Sequence, residues 1–305
     1  MSYGTNIAAS IGAAAESRID LPFGRGRIAL KTWHAEARGV PIVALHGWMD
    51  NAATFDRMAP LLAEHPFVAM DLPGHGLSDP RPAGFRYHNA DYFDDVLAVL
   101  DALYPQQKVI LLGHSLGAGI QMMLAGLLPE RVQALVMIEG LGPLTADPSS
   151  YVDMTRLALA SYRDFRPGRK PIADEAQAVQ ARMNGLTGTL SEMASRILCS
   201  RSLARNADGE LYWLTDKRLR QNSLMRFSEA QVLACIRAIT VPVLLIRGQD
   251  GAPFEQAAGK ARLEAFADLR QVTVAGKHHL HLDESPAEVA AQIRAFFSSI
   301  TLVRS

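Results

Sequence analysis

The stretch best equipped for chemistry is Gly113-His114-Ser115-Leu116-Gly117. A serine hydroxyl is a weak nucleophile until a base takes its proton. The apolar run Val109 to Leu112 reads as a buried strand before it, and an amphipathic stretch from Ile120 to Leu128 reads as a helix after it. A turn that tight from strand to helix tolerates no bulk two residues either side of the serine. Gly113 and Gly117 stand there. A glycine-rich turn that happens to hold a serine is the plainer reading. The strand in front and the helix behind favour a nucleophile on a strained elbow instead.

The base must come from elsewhere in the chain, and Gly276-Lys277-His278-His279-Leu280-His281 supplies the best candidate. His278 follows the last expected strand and could reach back over the sheet to Ser115. Read as metal ligands, His278, His279 and His281 have no matching Cys/His/carboxylate cluster near them in the sequence. His279 and His281 are therefore expected to be packing or hydrogen-bonding neighbours. His75 is expected to be a structural loop residue, and His114 to flank the nucleophile while pointing elsewhere. Two carboxylates at strand ends, Glu139 and Asp250, could each orient His278 and stabilise its imidazolium form, and spacing does not choose between them. A developing oxyanion needs backbone N–H donors. Leu116, directly after the serine at a helix N-terminus, is one candidate, and Trp48 in His46-Gly47-Trp48 is the other.

These groups need a rigid frame. Residues 1–17 read as a loose tail, and Arg18 to Phe23 with Arg27 to His34 read as an antiparallel pair at a sheet edge. Apolar runs at Pro41–Leu45, Phe67–Met70, Val109–Leu112 and Ala134–Ile138 read as buried strands, and Val241–Gly248 and Leu269–Val274 resume the strands after 238. Helical spacing separates them at Phe55–Ala63, Tyr92–Leu103 and Ile120–Leu128, and Glu288–Phe297 closes the chain. The alternation predicts an α/β protein with a mostly parallel central sheet flanked by helices. From 142 to 238 the rhythm changes to helix-like stretches broken by loop signals. The core is thus expected at 18–141 and 239–305, with a helical cap at 142–238. Met154, Leu157, Tyr162, Met183 and Leu186 of that cap suggest a partly apolar pocket.

The 305 residues suffice for one large core plus an insert, and 31 basic against 31 acidic residues give a net charge of +0. That balance offers nothing to attract nucleic acid or an anionic membrane surface. No apolar run is long enough to span a bilayer, and the first residues lack the basic start of a secretory signal. Two cysteines, Cys199 and Cys235, build no disulfide framework, so a reducing, cytoplasmic location is the expectation. Oligomeric state is not legible.

Taken together, Gly113-His114-Ser115-Leu116-Gly117, His46-Gly47-Trp48 and Asp71-Leu72-Pro73-Gly74-His75-Gly76-Leu77-Ser78 resemble the α/β-hydrolase superfamily. The match runs from about residue 27 to 300. His46-Gly47-Trp48-Met49-Asp50-Asn51-Ala52-Ala53-Thr54-Phe55-Asp56 is similar, more narrowly, to the serine hydrolase-like proteins of that group. The resemblance implies the α/β-hydrolase fold with a cap, a Ser-His-acid triad in the chain order Ser, acid, His, and no cofactor. Most of the family carries its acid where this chain has Gly251, one residue past Asp250. The haloalkane dehalogenase branch carries it at the preceding strand end, where this chain has Glu139. The departure at Gly251 favours Glu139, and a serine at position 115 argues against dehalogenase and epoxide hydrolase chemistry. The expected activity is carboxylesterase-like cleavage of a small ester or thioester. The alternatives are C–C bond or lactone hydrolysis, acyl transfer, or ligand binding without turnover.

Overall fold

The computed structural model describes residues 14–168, 170–185, 188–252 and 257–303. Its centre is an eight-stranded sheet: β1 (Ala15–Asp20), β2 (Arg27–Trp33), β3 (Ile42–Leu45), β4 (Phe67–Met70), β5 (Val109–His114), β6 (Val132–Ile138), β7 (Val243–Gly248) and β8 (Leu269–Val274). The spatial order is β1-β2-β4-β3-β5-β6-β7-β8. From β4 to β8 every pairing is parallel, while β2 runs antiparallel to both β1 and β4. The middle strands β3 to β6 are buried almost throughout, as continuous apolar runs require in a sheet covered on both faces. The edge strand β1 is mostly exposed and polar, and the other edge, β8, exposes Arg270, Gln271 and Thr273, which discourages further strand pairing.

Alternate side chains of each strand feed two separate cores. Val43, Leu45, Leu111, Leu135, Met137 and Leu245 face helices α1 (Asp91–Leu103), α2 (Leu116–Leu127) and α6 (Glu229–Arg237). Ile42, Ala44, Ile110, Leu112, Val136 and Ile246 face Phe55, Met58, Leu62 and helix α8 (Pro286–Ser298). Helix α7 (Ala257–Ala265) lies between β7 and β8 in the chain.

Several expectations shift. The strand β1 starts at Ala15, inside the expected tail, whose first thirteen residues lie outside the described ones. Phe55–Ala63 is not one helix but lies across two 3-10 turns, Ala52–Phe55 and Ala59–Leu61, because Pro60 removes a backbone donor. Helix α2 is buried from Gly117 to Ala125, so it is a core helix rather than an amphipathic one.

Between β6 and β7 lie α3 (Tyr151–Arg163), α4 (Glu175–Met183) and α5 (Glu192–Ser200), with a small antiparallel pair, Leu203–Arg205 and Leu211–Trp213. Helix α6 falls in the same segment, yet Val232 and Ile236 are buried beside α2, which makes it part of the core layer. Two buried arginines dock the rest onto the sheet. Arg182 of α4 pairs with Asp50, and Arg201 after α5 pairs with Asp71 (Nε to Oδ2 2.8 Å). Asn51 adds hydrogen bonds to the carbonyl of Leu198 (2.9 Å) and the hydroxyl of Ser202 (2.8 Å). Trp48 donates its indole N–H to the Leu219 carbonyl (3.2 Å). The segment after β3 thus grips the insert through three of its side chains.

Candidate active site

Ser115 stands between β5 and α2 with φ 51° and ψ −113°, a left-handed backbone that a residue bearing a Cβ rarely adopts. The sequence compels it. A Cβ on Gly113 would lie 2.4 Å from the Ala118 nitrogen, and one on Gly117 would lie 2.2 Å from the Leu45 carbonyl oxygen. Backbone bonds from Ser115 N–H to the Ile138 carbonyl (3.0 Å) and from Gly117 N–H to the His46 carbonyl (3.1 Å) hold the turn against both neighbouring strands.

His278 follows β8, and its Nδ1 lies 3.2 Å from Glu139 Oε2. A carboxylate can only accept, so Nδ1 carries the proton and Nε2 keeps the lone pair of a base. Glu139 directly follows β6, with φ 49°, and is 2% exposed. Its Oε1 accepts from Gly248 N–H (2.6 Å), and its Oε2 also accepts from Ala252 N–H (2.8 Å). Burial alone raises the Glu139 pKa, but hydrogen bonds from His278, Ala252 and Gly248 outweigh it and hold the group below the usual carboxylate value. Gly251 explains why the acid sits there. A Cβ at that position would lie 2.3 Å from Glu139 Oε1, so the missing side chain is what admits the carboxylate. Asp250 does not meet His278. It is exposed, and its backbone N–H is spent on the Gly276 carbonyl (3.0 Å).

Both candidate oxyanion donors flank this centre. Leu116 is the first residue of α2, where a backbone N–H has no acceptor within the helix. Trp48 N–H shares a peptide plane with the Gly47 carbonyl, and two donors fix that carbonyl: His46 Nδ1 at 2.7 Å and Asp50 N–H at 3.1 Å. His46 Nε2 accepts from Leu72 N–H (3.0 Å), which leaves the proton on Nδ1. Burial pulls the His46 pKa down to about 4, so the ring is neutral at neutral pH and keeps this tautomer.

Beneath His278 lies a buried network centred on Asp50. His279 Nε2 lies 3.1 Å from Asp50 Oδ2, and His114 Nδ1 lies 3.5 Å from the same oxygen. His114 Nε2 faces the His278 carbonyl at 2.8 Å, so His114 supports the backbone of the base rather than pointing away from the site. Burial brings the His114 pKa to about 4. For Asp50, burial opposes ionisation, but His279 and Arg182 hold the pKa well below the usual carboxylate range. His281 bonds Thr54 Oγ1 (2.9 Å), and His75 Nδ1 faces the Pro73 carbonyl (3.2 Å). The donor atoms of Asp50, His114 and His279 converge within 4.8 Å, a spacing a metal ion could use. The Arg182 guanidinium already neutralises Asp50, and His279 already donates to it, so the charges are matched within the protein. The sequence shows Asp50 only as a member of the His46 to Asp56 motif, because its partners His279 and Arg182 lie 229 and 132 residues away.

A cavity of about 1110 Å³ opens beside the site, lined among others by Met49, Phe165 and Trp213. Met154, Leu157, Tyr162 and Met183, expected in the pocket, are not among its lining residues. Leu157 and Tyr162 are exposed on α3, Met183 packs beside Val179 and Cys199, and Leu186 lies outside the described residues.

A comparison with known proteins gives the same frame. The α/β hydrolase fold family matches residues 40–285. A Drosophila melanogaster protein named "probable serine hydrolase" is 34% identical over 285 residues, covering 89% of this chain and 84% of that one. A crystallised hypothetical protein of Pseudomonas aeruginosa PAO1 superposes with a TM-score of 0.84 at 36% identity, over 93% of this chain and 99% of that one. The thioesterase domain of the curacin biosynthetic pathway superposes with a TM-score of 0.79 at 25% identity, over 92% and 99%. Among the described residues no helix is long and apolar enough to cross a membrane. The family match spans most of the chain and the Drosophila relative covers 89% of it at 34% identity, so the chain belongs to the α/β-hydrolase family as a hydrolase.

Proposed function

We propose that the chain is a serine hydrolase that cleaves a small ester or thioester through an acyl-enzyme. The observation that carries this is the His278 Nδ1 to Glu139 contact of 3.2 Å, which leaves Nε2 free to act as a base on a ring that packs 4.7 Å from His114, the residue directly before Ser115. Nε2 takes the Ser115 proton as Oγ attacks the substrate carbonyl carbon, and the charge that develops on the carbonyl oxygen falls to the N–H groups of Leu116 and Trp48. As the tetrahedral adduct collapses, His278 returns the proton to the leaving alcohol or thiol. Water, deprotonated by the same nitrogen, then releases the acid and frees Ser115. Glu139 acts through His278 by fixing its tautomer and opposing the positive charge. The residues 142–238, apart from α6, form a cap over this centre. The likeness to a thioesterase domain supports thioesters within the substrate class.

The test is steady-state hydrolysis of p-nitrophenyl esters of increasing chain length, with Ser115→Ala in parallel. Turnover by the native chain that disappears in the variant is expected. Turnover that survives in Ser115→Ala refutes the assignment. If no ester is turned over and a fluorophosphonate fails to label Ser115, the fold serves to bind a ligand instead.

A further inference from the structure

The chain is neutral overall, yet the cavity beside the site is not. Among the described residues, six basic side chains line it against one acidic residue, Asp216. Three of the six are matched within the protein. Arg81 pairs with Asp95 (2.6 Å), Arg182 with Asp50, and Arg218 with Asp216 (2.6 Å). The other three, Lys170, Lys217 and Arg220, are exposed, and their side chains have no ion pair or hydrogen bond among the described residues. Phe165, Trp213 and Met49 add apolar surface to the same walls. Three uncompensated cations around a partly apolar cleft suit an organic anion, because concave low-dielectric walls focus the field of the charges.

The cavity also has a fixed relation to the elbow. Met49 lines it and directly follows Trp48, the candidate oxyanion donor. The Trp48 indole is bonded to the carbonyl of Leu219, between the lining residues Arg218 and Arg220. Ser115 and His278 are not among its lining residues, so the cleft suits a part of the substrate remote from the reacting carbonyl.

We propose that this cleft holds the anionic, non-reacting arm of the substrate, a carboxylate or phosphate at the far end of the ester or thioester. The proposal rests on the hydrolase reading above, and the experiment separates the two. Two matched pairs are compared as substrates of the full chain. Mono-p-nitrophenyl adipate against p-nitrophenyl hexanoate puts a carboxylate on the acyl arm. Hexanoyl coenzyme A against S-hexanoyl-N-acetylcysteamine puts phosphates on the leaving arm.

At low salt, kcat/KM is expected to favour the charged member of at least one pair by about tenfold, the combined effect of several exposed charge pairs, and less at high salt. In a Lys217→Gln/Arg220→Gln chain that ratio should fall toward one. Because the ratio is taken within one preparation, differences in folded fraction cancel. Equal rates within both pairs overturn the proposal and leave the hydrolase reading intact. If none of the four compounds is turned over, the hydrolase reading is what fails, and calorimetric titration with adipate and with coenzyme A takes over. Binding weakened by the double substitution then supports an anion site, and absence of binding by both overturns it.

Discussion

Replacing Glu139 with glutamine separates charge and tautomer from shape. Three N–H groups converge on the two carboxylate oxygens: Gly248 on Oε1, and Ala252 and His278 Nδ1 on Oε2. An amide has one oxygen and one NH2, so it cannot accept from all three. If its oxygen keeps the Ala252 side, the NH2 meets the Gly248 N–H and leaves a buried donor unpaired, at a cost of about 1–3 kcal/mol. If it flips, the NH2 faces His278 and forces the proton onto Nε2, which removes the base. Either way the imidazolium loses its counter-charge. A drop in kcat of about 10⁴-fold is expected by analogy with the same change in other serine triads. The assay is p-nitrophenyl ester hydrolysis, with circular dichroism confirming the fold and Asp250→Asn as the control. Asp250 is exposed and away from His278, so its variant should stay within about twofold, as surface changes usually do. A Glu139→Gln chain that folds and keeps a tenth of its activity, or an Asp250→Asn chain that loses most of it, would refute the reasoning.

Other outcomes follow from the same geometry. Gly251→Ala places a Cβ against Glu139 Oε1 and must displace the carboxylate, so kcat should fall by about 100-fold, the scale of an ångström of misplacement; unchanged kcat would contradict the packing. Arg182→Met leaves Asp50 buried without its cation and should lower the urea-unfolding free energy by about 3–5 kcal/mol. A loss below about 1 kcal/mol, typical of exposed pairs, would mean the docking contact carries little. Acid stability is set partly by His46, His75 and His114, whose pKa values burial lowers from 6.5 to about 4, 3 and 4. The unfolded chain protonates them first, so stability should be lost as pH falls from 6.5 toward 4, at up to about 1.4 kcal/mol per pH unit for each ring. Urea midpoints flat across that window would contradict it.

The elbow was readable in the sequence because Gly113, Ser115 and Gly117 stand together in one turn, although Gly117 answers to Leu45 of the neighbouring strand. The central strands were readable for the same reason, since each is a continuous apolar run. The contact between Glu139 and His278 was only half readable. Spacing offered Asp250 equally, and the pocket that receives Glu139 is assembled by Gly248, Gly251 and Ala252 from another strand end. Asp50 was invisible as the hub beneath His278 because Arg182 and His279 come from distant parts of the chain. Cap residues misled for a related reason. Apolar spacing on α3 looked like a pocket wall, yet Leu157 and Tyr162 are exposed, and the cavity is lined by residues scattered over loops, the end of α4, the small strand pair and the turn at Lys217–Arg220, which share no periodicity.

The most direct measurement is site-resolved labelling of the native chain with a fluorophosphonate, read by peptide mass spectrometry beside His278→Ala and Glu139→Gln. The relay described here predicts a single adduct on Ser115 that slows severely in both variants. A folded native chain whose Ser115 stays unlabelled, or one that labels equally well without His278, would contradict an activated serine at the elbow.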